Sequence, residues 1–142
     1  MKQIIYQKAF VAITLDKNIP AIYEEWLGDV SVEEFKATLE KKFELYVEHK
    51  KEYNNLKWIV NLRGLKVDAE GQEWANHEFH PRLHPNGVRK IAFVIPENAL
   101  YMLEDEQLSP HMDAHGQIEL CYFDNLKEAG AWIKNMPMTE NS

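Results

Sequence analysis

The chain has 142 residues, 45% of them hydrophobic and 27% charged, the balance of a globular protein of one domain. At this length about two thirds of the unfolded surface can be buried, so neither a disulfide nor a structural metal is needed for stability. The formal net charge of −7 argues against nucleic-acid binding, and no apolar run approaches the ~20 residues of a membrane span.

No N-terminal run combines a basic start, an apolar core and a small-residue cleavage site, so a cytoplasmic protein is expected. The lone cysteine, Cys121, excludes an internal disulfide and falls in an apolar run, which predicts a buried, unreactive thiol.

Ala9 to Leu15 is β-branched and partly alternating, and Asp16-Lys17-Asn18 supplies a turn. Ile19 to Leu27 reads as the return strand, giving an N-terminal antiparallel hairpin. Ser31 followed by Glu34 has the spacing of a capping box. Behind it Phe35, Leu39, Phe43, Tyr46 and Val47 recur at helical intervals, with Lys36, Glu40, Lys41, Glu44 and Glu48 opposite. This pattern predicts an amphipathic helix from about Val32 to about Lys51. Its stripe is expected against a sheet that includes Ile59, Phe93 and Leu120.

Leu56–Leu62, Lys90–Ile95 and Ile118–Phe123 read as buried strands. Helical content is expected between them, at Val67–Leu83 and from about Asn98 within Glu97–Leu108. A last helix opens at Asn125, with Leu126, Ala129, Ile133 and Met136 on one face. The fold class is therefore α/β: a mixed, mostly parallel sheet opened by an antiparallel hairpin, with helices mainly on one face. A single domain over residues 1–136 and a frayed tail at 137–142 are expected.

Three histidines, His77, His80 and His84, fall in WANHEFHPRLHPNG at spacings that share one face of an intact helix. Pro81 and Pro85 follow two of them. A residue before proline is biased toward extended backbone, which predicts that the imidazoles leave a common face. No HExxH or Cys-x-x-Cys pattern accompanies them. No metal is assigned, and a partly exposed helix end and turn is expected. His111 and His115 are read as a separate surface loop.

No nucleophile motif or phosphate-cradling glycine pattern occurs, so no catalytic residue and no cofactor is assigned. The acidic pair Glu24-Glu25 reads as a solvated face. One loop stands out. In open α/β sheets ligands and partners meet the carboxyl ends of strands. There the chain delivers Asn61, Arg63 and Lys66, then Asp68 at the next helix start. Arg63 is suited to an anion or carboxylate. With Trp74, these five residues form the candidate ligand or partner site.

WIVNLRGL, KIAFVIP and FDNLKEAGAWIKN, in this order of elements, resemble the SpoIIAA-like branch of the STAS superfamily, a group that includes STAS/SEC14-domain small proteins. The resemblance covers about residues 9 to 135. It implies a small mixed sheet and a non-enzymatic role in protein–protein regulation or small-ligand sensing, with a protein partner or a homodimer. Anti-sigma antagonists of this type place a phosphorylatable serine in the loop after the strand matched by Trp58 to Leu62. Here no Ser, Thr or Tyr lies between Asn61 and Asp68, so that switch does not transfer. Two alternatives remain open: a metal-dependent enzyme or binder using His77, His80 and His84, and a carrier of an apolar ligand such as a lipid.

Overall fold

A computed structural model describes residues 2–113 and 115–134. The expected tail at 137–142, and Met136 on the last helix, lie outside the described residues.

Strands β1 (Lys2–Lys8), β2 (Val11–Asp16) and β3 (Ala21–Trp26) form an antiparallel meander. The hairpin of β2 and β3 is the one expected from the sequence, while β1 is an additional edge strand. β1 escapes the pattern because its residues are largely exposed and carry no buried alternation. A two-residue β4 (Gly28–Asp29) leads to helix α1 (Val32–His49). Ser31 and Glu34 close the capping box reciprocally, each side-chain oxygen accepting the other's backbone N–H at 3.0 Å.

After α1 come β5 (Lys57–Asn61), the short β6 (Leu65–Lys66), α2 (Ala69–Trp74) and, beyond a run of tight turns, β7 (Lys90–Val94). Two one-turn helices, α3 (Glu97–Leu100) and α4 (Asp105–Leu108), stand where one short helix from about Asn98 is expected. They precede β8 (His111–Met112), β9 (Glu119–Phe123) and α5 (Leu126–Lys134). The main sheet has seven strands in the order β1-β2-β3-β5-β7-β9-β8. Its centre, β3-β5-β7-β9, is parallel, and both flanks are antiparallel. β4 and β6 form a separate parallel pair.

Alternation along the strands divides the core in two. Ile22, Trp58, Val60, Ile91 and Phe93 face α1, whose Phe35, Leu39, Leu45 and Tyr46 are buried on them. Burying each such side chain contributes about 1.5–3 kcal/mol. Ala21, Tyr23, Ile59, Ala92 and Val94 face the other way, where Ala129 and Ile133 of α5 cover them. Phe93 and Leu120 thus share the α1 layer as expected, but Ile59 does not. It neighbours Trp58 and Val60 on the same strand, and side chains alternate faces with a period of two.

The histidine-rich segment differs from the expectation at its prolines. Ala75–Phe79 forms a π-helical turn, and His80–Arg82 and His84–Asn86 form 3₁₀ turns. His80 stays helical, with φ −58° and ψ −37°, although a proline follows it. Pro81 and Pro85 each stand in the first turn of a 3₁₀ piece, where a missing N–H leaves no ladder bond unmade. Tertiary packing of Phe79 and Leu83, both fully buried, holds this compact path.

Candidate functional site

A cavity of about 730 Å³ lies between α1, the turns after α2 and the central sheet. This is within the range of small-molecule sites, about 300–1,000 Å³. Its floor is the α1 layer of the sheet: Trp58 and Val60 from β5, Ile91 and Phe93 from β7, Leu120 and Tyr122 from β9. Phe35 and Leu39 of α1 form one wall, and Ala75, Phe79 and His80 of the turns form another. Leu62, Ile95 and Pro96 extend it past the carboxyl ends of β5 and β7, the place where open α/β sheets bind ligands.

Rings run in sequence from Trp74, beside the cavity, along one of its sides. Trp74 stacks on Phe79 at 5.5 Å between centroids, Phe79 meets His80 at 5.9 Å, and His80 meets Phe93 at 6.2 Å. Phe93 then stacks on Tyr122 at 5.3 Å, and Tyr122 on His111 at 5.7 Å. These separations are those of favourable aromatic pairs. The fold brings His77 and His80 of the first histidine segment to the same cavity as His111 and His115 of the second. His84 is not among the lining residues. Among the described residues no group of three or more His, Cys, Asp or Glu side chains is placed to hold a metal.

One carboxylate, Glu24 of β3, reaches the cavity from within the sheet's α1 layer. It was read as part of a solvated acidic pair; instead it is fully buried. Glu24 alternates inward with Ile22 and Trp26 on β3, so it enters the core. Lys42 of α1, also fully buried, donates to Glu24 Oε1 at 2.9 Å and to the carbonyl of Ile59 at 2.8 Å. The Trp26 indole N–H donates to Glu24 Oε2. The Lys42 ammonium lies 4.1 Å from the Trp58 ring centroid. Burial lowers its pKa to about 8, an effect opposed by the Glu24 charge, so it remains an ammonium at neutral pH. The signal in the sequence was a charge on the apolar stripe: Lys42 follows Phe35 and Leu39 at helical spacing and precedes Tyr46.

His80 is half-buried. Burial, reinforced by the nearby Lys42 charge, pushes its pKa down to about 4, so the ring is neutral at physiological pH. The expected site residues gather elsewhere. Asn61 ends β5, is buried, and its Oδ1 accepts the backbone N–H of Arg63 at 3.1 Å. Arg63 and Lys66 are exposed, and Lys66 pairs with Asp29 in the small sheet. Asp68 stands at the N-cap of α2 but makes no side-chain cap bond. Trp74 is half-buried under the Lys36 ammonium, 5.5 Å from its ring. None of the five lines the cavity, although Leu62 and Leu65 of the same loop do. Cys121 is buried in mid-strand, and burial raises its thiol pKa.

The fold and the cavity together define a mixed α/β domain enclosing an aromatic-walled ligand-sized space. A family model described as SpoIIAA-like matches residues 21–134, and the chain belongs to that family. The structure is also similar to the crystal structure of an uncharacterized DUF3478-family protein with a SpoIIAA-like fold from Shewanella loihica PV-4. That likeness has a TM-score of 0.60 and 9% sequence identity, covering 92% of this chain and 99% of the other. No curated protein matches the sequence. The family supports a non-enzymatic domain in general, often one that interacts with proteins. No helix among the described residues is long and apolar enough to cross a membrane.

Proposed function

We propose that the protein is a non-enzymatic small-ligand sensing domain that takes an apolar small molecule between α1 and the sheet. The observation that supports this reading is the cavity of about 730 Å³ with a predominantly aromatic and aliphatic lining. Burial of an apolar ligand there releases water from surface that has few polar groups to hold it. The exposed loop bearing Arg63, Lys66 and Asp68, with Asn61 beneath it and Trp74 nearby, is the proposed face for a protein partner or a second copy in the cytoplasm. It shares Leu62 and Leu65 with the cavity wall, so occupancy can be transmitted to it.

Native mass spectrometry of freshly purified protein, followed by titration with an environment-sensitive anilinonaphthalene dye, tests the reading. A retained small molecule or saturable dye binding is expected, and Leu120→Trp, which fills the space from β9, should abolish it while the fold persists. Dye binding unchanged by Leu120→Trp would count against the cavity as the site. Light scattering with and without dye tests the partner face for self-association.

A further inference from the structure

The polar groups of the cavity select among apolar ligands. Among the described residues its lining contains two carboxylates, Glu24 and Asp113, and no lysine or arginine. Lys42 lies behind the wall, engaged by Glu24 and the Ile59 carbonyl. Asp113 Oδ1 accepts the backbone N–H groups of Gln117 and Ile118 at 2.9 and 3.3 Å, which fixes the position of its carboxyl at the rim. An anionic head group therefore meets acceptors and negative charge.

The imidazoles have the opposite preference. His111 Nδ1 lies 2.9 Å from the carbonyl of Ser109, and a carbonyl can only accept, so Nδ1 carries the proton. In the neutral ring this leaves Nε2 as an acceptor. His80 has no hydrogen-bond partner among the described residues, and its neutral ring keeps one donor and one acceptor. The two rings are joined through Phe93 and Tyr122, which are stacked 5.3 Å apart. An apolar body resting on this row puts a polar end within reach of the histidine at one end of it or the other.

Resting on the sensing role above, we infer that the cavity selects a neutral planar aromatic compound bearing a hydroxyl, with the ring against Phe93 and Tyr122 and the hydroxyl donating to His111 or His80. Phe93 and Tyr122 stack on each other and Tyr122 on His111, so such a ligand meets the edges of the row in edge-to-face contacts, worth about 0.5–1.5 kcal/mol per pair beyond burial, which an alkyl chain cannot make. A site that bonds a hydroxyl discriminates against an analogue that lacks it, because the bond to the imidazole is then not made.

The test is a ligand-observed NMR titration of the whole chain at neutral pH with β-naphthol, its methyl ether, β-naphthoate and decanol. β-Naphthol is expected to bind at least about tenfold tighter than each of the other three, a difference of ~1.4 kcal/mol. His111→Phe, which keeps a ring on Tyr122, and His80→Phe should each bring β-naphthol toward the affinity of the ether. Circular dichroism confirms that both variants are folded. Equal affinity for β-naphthol and its ether, tighter binding of β-naphthoate or decanol, or variants that retain the preference would overturn the inference and leave the ligand cavity standing. Binding of none of the four, with the Leu120→Trp variant indistinguishable from the parent chain, would remove the sensing role as well.

Discussion

Replacing Lys42 with methionine removes the ammonium and keeps most of the stem that lies on Trp58. Lys42 bonds Glu24 Oε1 at 2.9 Å and the Ile59 carbonyl at 2.8 Å, and neither partner side chain sees solvent. After the substitution the Glu24 carboxylate stays buried with only the Trp26 indole N–H as donor. Breaking a buried pair from one side costs about 3–5 kcal/mol, because the remaining charge is stranded. That is a large share of a total stability of ~5–15 kcal/mol. Glu24→Leu alone strands the ammonium and should cost a similar amount. Removing both charges leaves one neutral group short of its partner, the Trp26 N–H, at about 1–3 kcal/mol, while the Ile59 carbonyl stays in a strand paired on both sides. The double variant should therefore be more stable than the sum of the singles implies, by at least ~2 kcal/mol. Urea denaturation followed by tryptophan fluorescence and by circular dichroism measures all four corners of the cycle. A loss below about 1 kcal/mol for Lys42→Met, or strict additivity in the double variant, would refute the argument that these charges are held by each other.

His80 has a folded pKa of about 4 against an ordinary 6.5, so between those values the unfolded chain binds the extra proton. Its contribution to stability is complete above the upper value and is lost as pH falls toward the lower one, with a slope of up to ~1.4 kcal/mol per pH unit. His80→Phe should flatten acid unfolding in that window, as read by midpoint denaturant concentration against pH. Arg82 grips Glu40 with both guanidinium nitrogens at 2.7 Å and lies over Phe43 and Phe79, clamping the histidine-rich turns to α1. Both charges are half-exposed, so Arg82→Ala should cost only about 1 kcal/mol in urea, and less at high salt. A Cβ at Gly64 would overlap the carbonyl oxygen of Trp26, which is backbone and cannot turn aside. Gly64→Ala should lower stability by about 1–3 kcal/mol, and an unchanged melting temperature would show that the loop moves freely.

Most of the fold could be read from patterning because its elements agree with local chemistry. Ser31 and Glu34 announce α1, and Asn125 and Glu128 announce α5 by the same device, with Glu128 N–H donating to Asn125 Oδ1 at 2.8 Å. The apolar runs of β5, β7 and β9 mark strands covered on both faces. What was hidden lies where one sequence segment takes its meaning from another. Ile59 belongs to the α5 layer because of its position in the pleat, which a continuous apolar run does not display. Glu24 and Lys42 are eighteen residues apart and look like two surface charges until the helix is laid on β3. The turns at Pro81 and Pro85 remain helical because Phe79 and Leu83 are drawn into the core, a tertiary force that outweighs the local bias. Two histidine segments more than thirty residues apart meet at one cavity for the same reason: β7 and β9 are neighbours in the sheet.

The size of the cavity itself bears on function. A space of about 730 Å³ that opens to solvent admits a small molecule without parting the core. Water needs two to four polar partners to be held well, and among the described side chains of the lining these come from Glu24, Gln72, Asn76, Asp113, the Tyr122 hydroxyl and the histidines. Over the aliphatic and aromatic side chains between them it is poorly held, and displacing poorly held water with an apolar group is favourable. Glu24 is held at this space by Lys42, which ties α1 to β3 and to the Ile59 carbonyl of β5, so the acceptor that the lining offers there comes with its own counter-charge.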